Sequence, residues 1–360
     1  MTTMATVMSA VAFDQFGGPE VLGLREVPMP SPAPGEVRIR VLAVSVGRTI
    51  DLETRAGKSA FASAIRLPHI PGAEHAGVVD LVGAEVTSFL PGQLVAVFPV
   101  ITCQDCPACA TGRTEACARM EIIGIHRAGA YALYSCVPAA NVFPVTGALD
   151  AASAAALALN GAVALRQLAV AEAGHGTTVL VHGAGGALGL AVVRAALLRG
   201  ARVIASARQP WKRERLRTLG ADLAVDPDAA DFSSSVRNFT GAAGVDIIVD
   251  NLANPSHWAV SLDLLARHGT VVTSGALCGD EVPISLRRLY LGSQRIIGVR
   301  TARLDDARDV WAEVRRGLRA EVDDSHRFSL HDAAQAHAYL ASGQNFGRVV
   351  LDVASGLERA

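Results

Sequence analysis

The sequence predicts an α/β protein of two parts, a strand-rich, barrel-like β domain and a doubly wound parallel-sheet domain. Three observations carry this. Up to about residue 150, short runs of Val, Ile and Leu alternate with turn residues. Beyond it, strand and helix patterns alternate, the signature of a parallel sheet. At the start of that alternation a glycine-rich loop stands between a strand and a helix.

Each element follows from its residues. Residues 10–13, 21–27, 36–46, 77–82 and 94–98 read as short strands. Gly17-Gly18-Pro19, the 30–35 segment and Pro91-Gly92 supply the turns between them. Residues 150–172 are rich in Ala and Leu without Pro and read as one helix. Then come strand 178–182, helix 188–198 closed by Gly200, strand 202–206, helix 211–219 followed by Gly220, and strand 222–225. Strand 245–250, helix 256–265 and strand 270–274 continue the alternation. Helices are expected near 304–318 and 331–340, and a last strand over 348–353.

The 360 residues are 50% hydrophobic and 19% charged with a net charge of −1, which excludes a disordered chain and gives no basic surface for nucleic acid. No uninterrupted apolar run reaches about 18 residues, so no membrane span is expected. Residues 1–12 carry no Lys or Arg and do not read as a secretory signal, so a cytoplasmic location is expected. The expected partner is a small-molecule substrate.

The strand ending in His182 runs into Gly183-Ala-Gly185-Gly186-Ala187-Leu188-Gly189, and a helix starts at once. Glycines let the backbone approach a pyrophosphate, whose charge faces the free N–H groups of the helix N-terminus. Readers of NAD carry an acid about 20 residues further on, to bind the ribose hydroxyls. Here the next strand carries none; it ends in Ser206 and Arg208, with Lys212 and Arg213 beyond. A hydroxyl and a guanidinium suit the 2′-phosphate of NADPH. The competing reading makes Arg208, Lys212 and Arg213 a solvated helix face.

Four of the six cysteines, Cys103, Cys106, Cys109 and Cys117, have the spacing C-x2-C-x2-C-x7-C. Four thiolates close a tetrahedral shell around zinc and leave no position for substrate, so one structural Zn2+ is expected.

In this order the motifs resemble the medium-chain dehydrogenase/reductase superfamily. The resemblance covers nearly the whole chain: Gly17-Gly18-Pro19-Glu20-Val21, the segment 71–79 with Gly72-Ala73-Glu74-His75, Pro91-Gly92, the cysteine lobe, the glycine loop, and the closing Gly347-Arg348-Val349-Val350-Leu351. It implies a GroES-like β-barrel domain over 1–148 with the zinc lobe near 100–120. A Rossmann domain binding NADPH over 149–300 follows, and a tail over 301–360 returns to complete the first domain. It also implies a substrate cleft between the domains, with 54–67 and 277–288 as cleft-lining loops, and a homodimer.

Zinc alcohol dehydrogenases of this superfamily hold a second, catalytic zinc. Where their Cys of Cys-x-Ser/Thr-Asp stands, this chain has Arg48, with Asp51 kept; where their Gly-His-Glu stands, it has Gly72-Ala73-Glu74; near 159–160 it has Leu and Asn160, not a thiol. Arg and Ala offer no ligand to a cation. Zinc-free members resemble quinone and enone reductases, so hydride transfer from NADPH to a quinone or an activated C=C bond is the expected reaction. The alternatives are a carbonyl, iminium or alcohol oxidoreductase using side-chain acids, and a nucleotide-binding protein with little turnover.

Arg48 is expected to pair with Glu74 or Asp51 and to set a positive charge beside the substrate. Tyr131 is a candidate proton donor, set against a core role, and Asn160 a candidate contact to substrate or the nicotinamide ring. Tyr134 and His126 are weaker candidates, and His75 and His182 read as structural. The resemblance places Arg348 near the pyrophosphate, and Asn251 and Gly275 in ring-contacting loops.

Overall fold

The computed structural model describes residues 6–353 and forms two compact units. One runs to Leu159 and resumes over Arg303–Arg316 and from Ala320; the other is Asn160–Ala302 with Gly317–Arg319. Residues 1–5 of the segment read for a secretory signal lie outside the described residues.

The strands are β1 (Val7–Ala12), β2 (Gly23–Pro28), β3 (Glu36–Val46), β4 (His75–Val82), β5 (Leu94–Val97), β6 (Val100–Ile101), β7 (Glu121–Ile122), β8 (Tyr134–Pro138) and β9 (Val142–Pro144) in the first unit. The second unit has β10 (Thr178–Val181), β11 (Arg202–Ser206), β12 (Leu223–Val225), β13 (Val245–Val249), β14 (Leu265–Thr273) and β15 (Arg295–Gly298). The last two, β16 (Phe328–Ser329) and β17 (Val349–Asp352), return to the first unit. The helices are α1 (Glu53–Arg55), α2 (Pro107–Ala110), α3 (Ala151–Leu157), α4 (Asn160–Val170), α5 (Ala187–Leu198), α6 (Pro210–Thr218), α7 (Phe232–Thr240), α8 (Pro255–Leu264), α9 (Leu286–Leu291), α10 (Leu304–Arg316) and α11 (Ala333–Ser342).

The first unit is built on a sheet of order β16-β17-β3-β4-β5-β9, with β8 also paired to β3. Its long strand β3 alternates: Val37, Ile39 and Val41 are buried, while Arg38 between them pairs with Asp80 at 2.6 Å. Val37 and Ile39 pack with Val79, Val95, Val97 and Ile123 in one core. Val44 and Val46 join Tyr131, Leu330, Val349 and Leu351 in a second. Strand β17 pairs antiparallel with β3, so Val349 lies against Val46 and the chain's end completes the sheet its beginning started.

The helix expected over 150–172 is broken at 158–159. Asp150 caps α3 by accepting from Ser153 N at 2.8 Å, and the Ala-rich α3 packs on β3, β4 and β5, while α4 opens the second unit. The units therefore divide at 159/160, not at 148/149. The stretch Ala151–Val170 has the length and hydropathy of a membrane span, but 78% of its best window is buried inside the protein, which marks core helix.

The second unit is a six-stranded sheet, parallel throughout, of order β12-β11-β10-β13-β14-β15. All four residues of β10 are buried, as a central parallel strand covered on both faces requires. Leu180, Ile204, Ile248 and Val271 of the sheet meet Phe232 and Val236 of α7 and Trp258 and Leu262 of α8. The chain leaves β10 for β11 and β12, then crosses to β13 on the other side. The switch in strand order, where such sheets bind ligands, lies between β10 and β13.

Candidate functional site

In the second unit the glycine loop sits at the carboxyl end of β10. Gly183 has φ +63°, a conformation that favours glycine, and α5 starts at Ala187 with Gly186 as its N-cap. Gly189 lies against the loop so closely that a Cβ there would stand 2.4 Å from the Gly183 carbonyl oxygen. Loop and helix N-terminus thus have the geometry of a turn that could take an anion.

At the end of β11 the structure corrects two expectations. Ser206 is 1% exposed and its hydroxyl faces His182 Nδ1 at 3.2 Å, so it is turned away from any 2′-phosphate. Arg213 does not form a free cationic face: it pairs with Asp226 at 2.9 Å and donates to the Ala207 and Arg208 carbonyls. Lys212 is 7% exposed and its stem lies on Gly185. Arg208 is exposed and makes no ion pair among the described residues, which leaves it as the guanidinium available to a phosphate.

His182 is held by two hydroxyls. Ser261 Oγ donates to the His257 carbonyl, so it accepts from His182 Nε2 at 2.7 Å, and Nδ1 accepts from Ser206. Burial keeps this ring neutral, with its pKa lowered to about 4. Asn251 follows β13 and accepts at Oδ1 from Ser274 N at 2.7 Å; Gly275 lies against the Asn251 carbonyl. Asn160, the first residue of α4, is 8% exposed.

In the first unit Asp51, Glu74 and Arg348 come together. The segment Arg48–Leu52 is a π-helical turn, with Asp51 N and Leu52 N both donating to the Gly47 carbonyl, a local form not legible in the sequence. It aims Asp51 inward, where one carboxylate oxygen accepts from Gly47 N at 2.6 Å and the other from Gly72 N at 3.1 Å. Burial raises the Asp51 pKa to about 6, against the lowering effect of these N–H groups and of Arg348. Glu74 is ion-paired with Arg348, both nearly fully buried. Burial still pushes Glu74 up to about 7; Arg348 opposes this and the Asp51 charge adds to it.

The expected pairing of Arg48 with Glu74 or Asp51 is overturned. Arg48 donates instead to the Leu340 carbonyl at 2.5 Å, at the C-terminal end of α11. Arg348 takes the carboxylate because β17 runs beside β3 and sets it near Gly47: a Cβ on Gly47 would lie 3.4 Å from its guanidinium. Tyr131 is wholly buried, packs over Gly72 and shares a hydrogen bond of 2.8 Å with His337 Nε2. Burial drives its pKa well above the usual phenol range, which makes it a weaker acid, and its full burial fits the core role. His75 is buried against the Ala73 carbonyl, and His126 Nδ1 accepts from Ile122 N. His337 and Arg55, 3.3 Å apart, belong to the same buried network. Sequence reading missed them because no motif marks either.

The sulfur atoms of Cys103, Cys106, Cys109 and Cys117 all lie within 4.8 Å of one another, with Cys103 to Cys109 at 3.9 Å and Cys103 to Cys117 at 3.5 Å. A tetrahedron of Zn–S bonds of about 2.3 Å needs sulfurs about 3.8 Å apart, so the donor set fits zinc. The lobe is anchored by Arg303, whose guanidinium meets both Glu115 oxygens at 2.7 Å. Among the described residues no other group of three or more His, Cys, Asp or Glu converges as a metal site would require.

A β unit with a four-cysteine lobe and a parallel sheet with a dinucleotide loop define an oxidoreductase fold, and comparison with known proteins agrees. Residues 33–147 match the alcohol dehydrogenase GroES-like domain and residues 187–316 the zinc-binding dehydrogenase family. The chain is 30% identical to L-galactonate-5-dehydrogenase of Escherichia coli K12 over 89% of this chain and 92% of that one. It is 27% identical to the quinone oxidoreductase of Rattus norvegicus over 98% and 99%. A crystal structure of an NAD-dependent alcohol dehydrogenase superposes with a TM-score of 0.90 at 34% identity, over 96% of this chain and 100% of that one. The chain belongs to the medium-chain dehydrogenase/reductase superfamily and is an oxidoreductase.

Proposed function

We propose that this protein is an NADPH-dependent reductase that passes hydride to a quinone or an activated C=C bond, with one structural zinc in the cysteine lobe and none at the reaction centre. One observation carries the reading. The positions where zinc-dependent relatives hold their metal are Arg48 and Ala73, and the groups around them are already committed: Arg48 to Leu340, Asp51 to Gly47 and Gly72, Glu74 to Arg348. Without a Lewis acid, the acceptors that suit hydride are those whose own conjugation spreads the developing charge onto oxygen. The proton then comes from solvent. NADPH is favoured by the absence of an acid at the end of β11 and by the exposed Arg208. The rat quinone oxidoreductase similarity agrees with the chemistry; the galactonate and alcohol dehydrogenase similarities favour a carbonyl–alcohol reaction as the second reading.

The test is NADPH oxidation measured against quinones, enones, aldehydes and ketones. Turnover with quinones or enones, unchanged by brief chelation, is expected. Turnover with aldehydes or ketones alone moves the assignment to the second reading, and cofactor binding without turnover removes both. Metal analysis is expected to give about one zinc per chain. As the family resemblance implies, the same preparation is expected to be a homodimer, and we place it in the cytoplasm.

A further inference from the structure

We propose that the cysteine lobe is a clasp on the chain's crossover out of the parallel sheet, and that Glu115 and Thr114 are positioning residues that hold this crossover for turnover. In its kinetic part the inference rests on the reductase reading above.

The clasp is built inside the first unit. Thr114–Ala116 is a single 3-10 turn that ends on Cys117, the buried member of the four cysteines. Cys103 N donates to Cys117 Sγ at 3.5 Å, so the sulfur cluster fixes where this turn ends. From the turn, both Glu115 oxygens accept from the Arg303 guanidinium at 2.7 Å, and Thr114 Oγ1 accepts from Leu304 N at 3.3 Å. Two parallel N–H···O bonds to one carboxylate fix direction as well as distance. The side chains of Arg303 and Glu115 are 26% and 20% exposed, against 67% and 74% for the neighbouring pair of Arg308 and Asp305. Solvent screening therefore weakens the first pair far less than the second.

The place of Arg303 in the chain points to the role. It is the first residue of the first unit after the chain leaves the second at Ala302. Strand β15 ends at Gly298, and Val299 N still donates to the Thr273 carbonyl at 2.8 Å. Three residues, 300–302, separate that sheet bond from the clasp. On the far side Arg303 N donates to Asp306 Oδ2 at 2.8 Å at the start of α10, whose Trp311 carbonyl accepts from Thr146 Oγ1 at 2.9 Å. The lobe thus grips the chain where it re-enters the first unit, ahead of the helix that seats it. A link this short between two fixed ends has little slack, and releasing Arg303 lengthens it. The cleft that the family resemblance implies depends on this link, so slack lowers turnover rather than dinucleotide affinity, which the glycine loop supplies within one unit.

Amide hydrogen exchange of the full-length, zinc-loaded protein tests this, with Glu115→Gln, Arg303→Gln and the double variant. Each single variant is expected to quicken exchange over residues 300–304 by about tenfold or more, and the double variant no further, because the same pair of bonds is lost in all three. Zinc is expected to stay at about one per chain and NADPH affinity within about twofold. With the best acceptor of the panel above, kcat is expected to fall about fivefold or more while KM for NADPH is unchanged. Unchanged exchange, unchanged kcat or an additive effect in the double variant overturns the proposal. So does quickened exchange that comes with loss of zinc, which marks collapse of the lobe and not release of the crossover. If the wild type turns over no acceptor, the reductase reading falls, and the exchange pattern still decides the clasp.

Discussion

Arg348 is the residue on which the first unit's interior charge depends. It is one guanidinium set among two buried carboxylates, with its Nε unpaired. Removing it strands Glu74 in the interior, while removing both charges does not. Arg348→Ala is expected to cost about 3–5 kcal/mol in urea unfolding, and Arg348→Ala with Glu74→Gln is expected to recover more than half of that. A single variant as stable as the wild type shows that water reaches the pair. By the same measure Arg48, which caps a helix-end carbonyl, is less critical: Arg48→Ala is expected to cost about 1 kcal/mol, with no gain or loss of bound metal.

The elements differ in what holds them. Where the glycine loop turns into α5, the contact between Gly189 and Gly183 leaves no room for a side chain. Gly189→Val is therefore expected to abolish dinucleotide binding at millimolar cofactor while far-UV circular dichroism and zinc content stay unchanged. The cysteine lobe behaves in the opposite way. Its segments between 100 and 120 contain only two-residue strands and single turns, and burial there is slight. Cys109→Ser is expected to lower zinc from about one per chain to well below half, and to open the lobe to proteolysis while the parallel-sheet unit stays protected. Protection of the lobe without metal disproves the structural role.

Across the whole molecule the buried titratable groups set how stability depends on pH. His75, His182 and His337 are held neutral by burial, with pKa lowered to about 4, 4 and 3. Each binds a proton on unfolding once pH falls below about 6.5, so the stability it contributes is present above that value and is lost as pH falls toward 4. Asp51 and Glu74 work with the opposite sign. Their raised values mean that the folded state holds protons the unfolded chain has released, so their contribution is present below about 4 and is lost as pH rises through 6 to 7. His69, also lowered by burial, adds to these three histidines against the two carboxylates, and stability is expected to fall between pH 6.5 and 5. His182→Gln, which keeps the donor to Ser261, is expected to flatten that fall, and Glu74→Gln to steepen it. Urea midpoints across this range decide both signs.

Local chemistry made much of this protein legible before its fold was known. The strand over residues 36–46, the turn from β10 into α5, the cysteine spacing and the residue types at Arg48 and Ala73 each depend on a few neighbouring residues. Side-chain direction and partnership were not legible, because they are set by strands that meet only in the folded chain. Arg48 and Arg348 are alike as residues. The pairing of β17 with β3 gives Glu74 to the second, 274 positions away in sequence, and leaves the first to a carbonyl at the end of α11. Ser206 was placed at the right strand end but faces inward, since β11 is buried at that position and His182 offers a partner. Residue type and spacing thus determined what chemistry the chain carries; sheet register and burial decided which atoms are free to perform it, because only packing fixes where a side chain points and what it has already bonded.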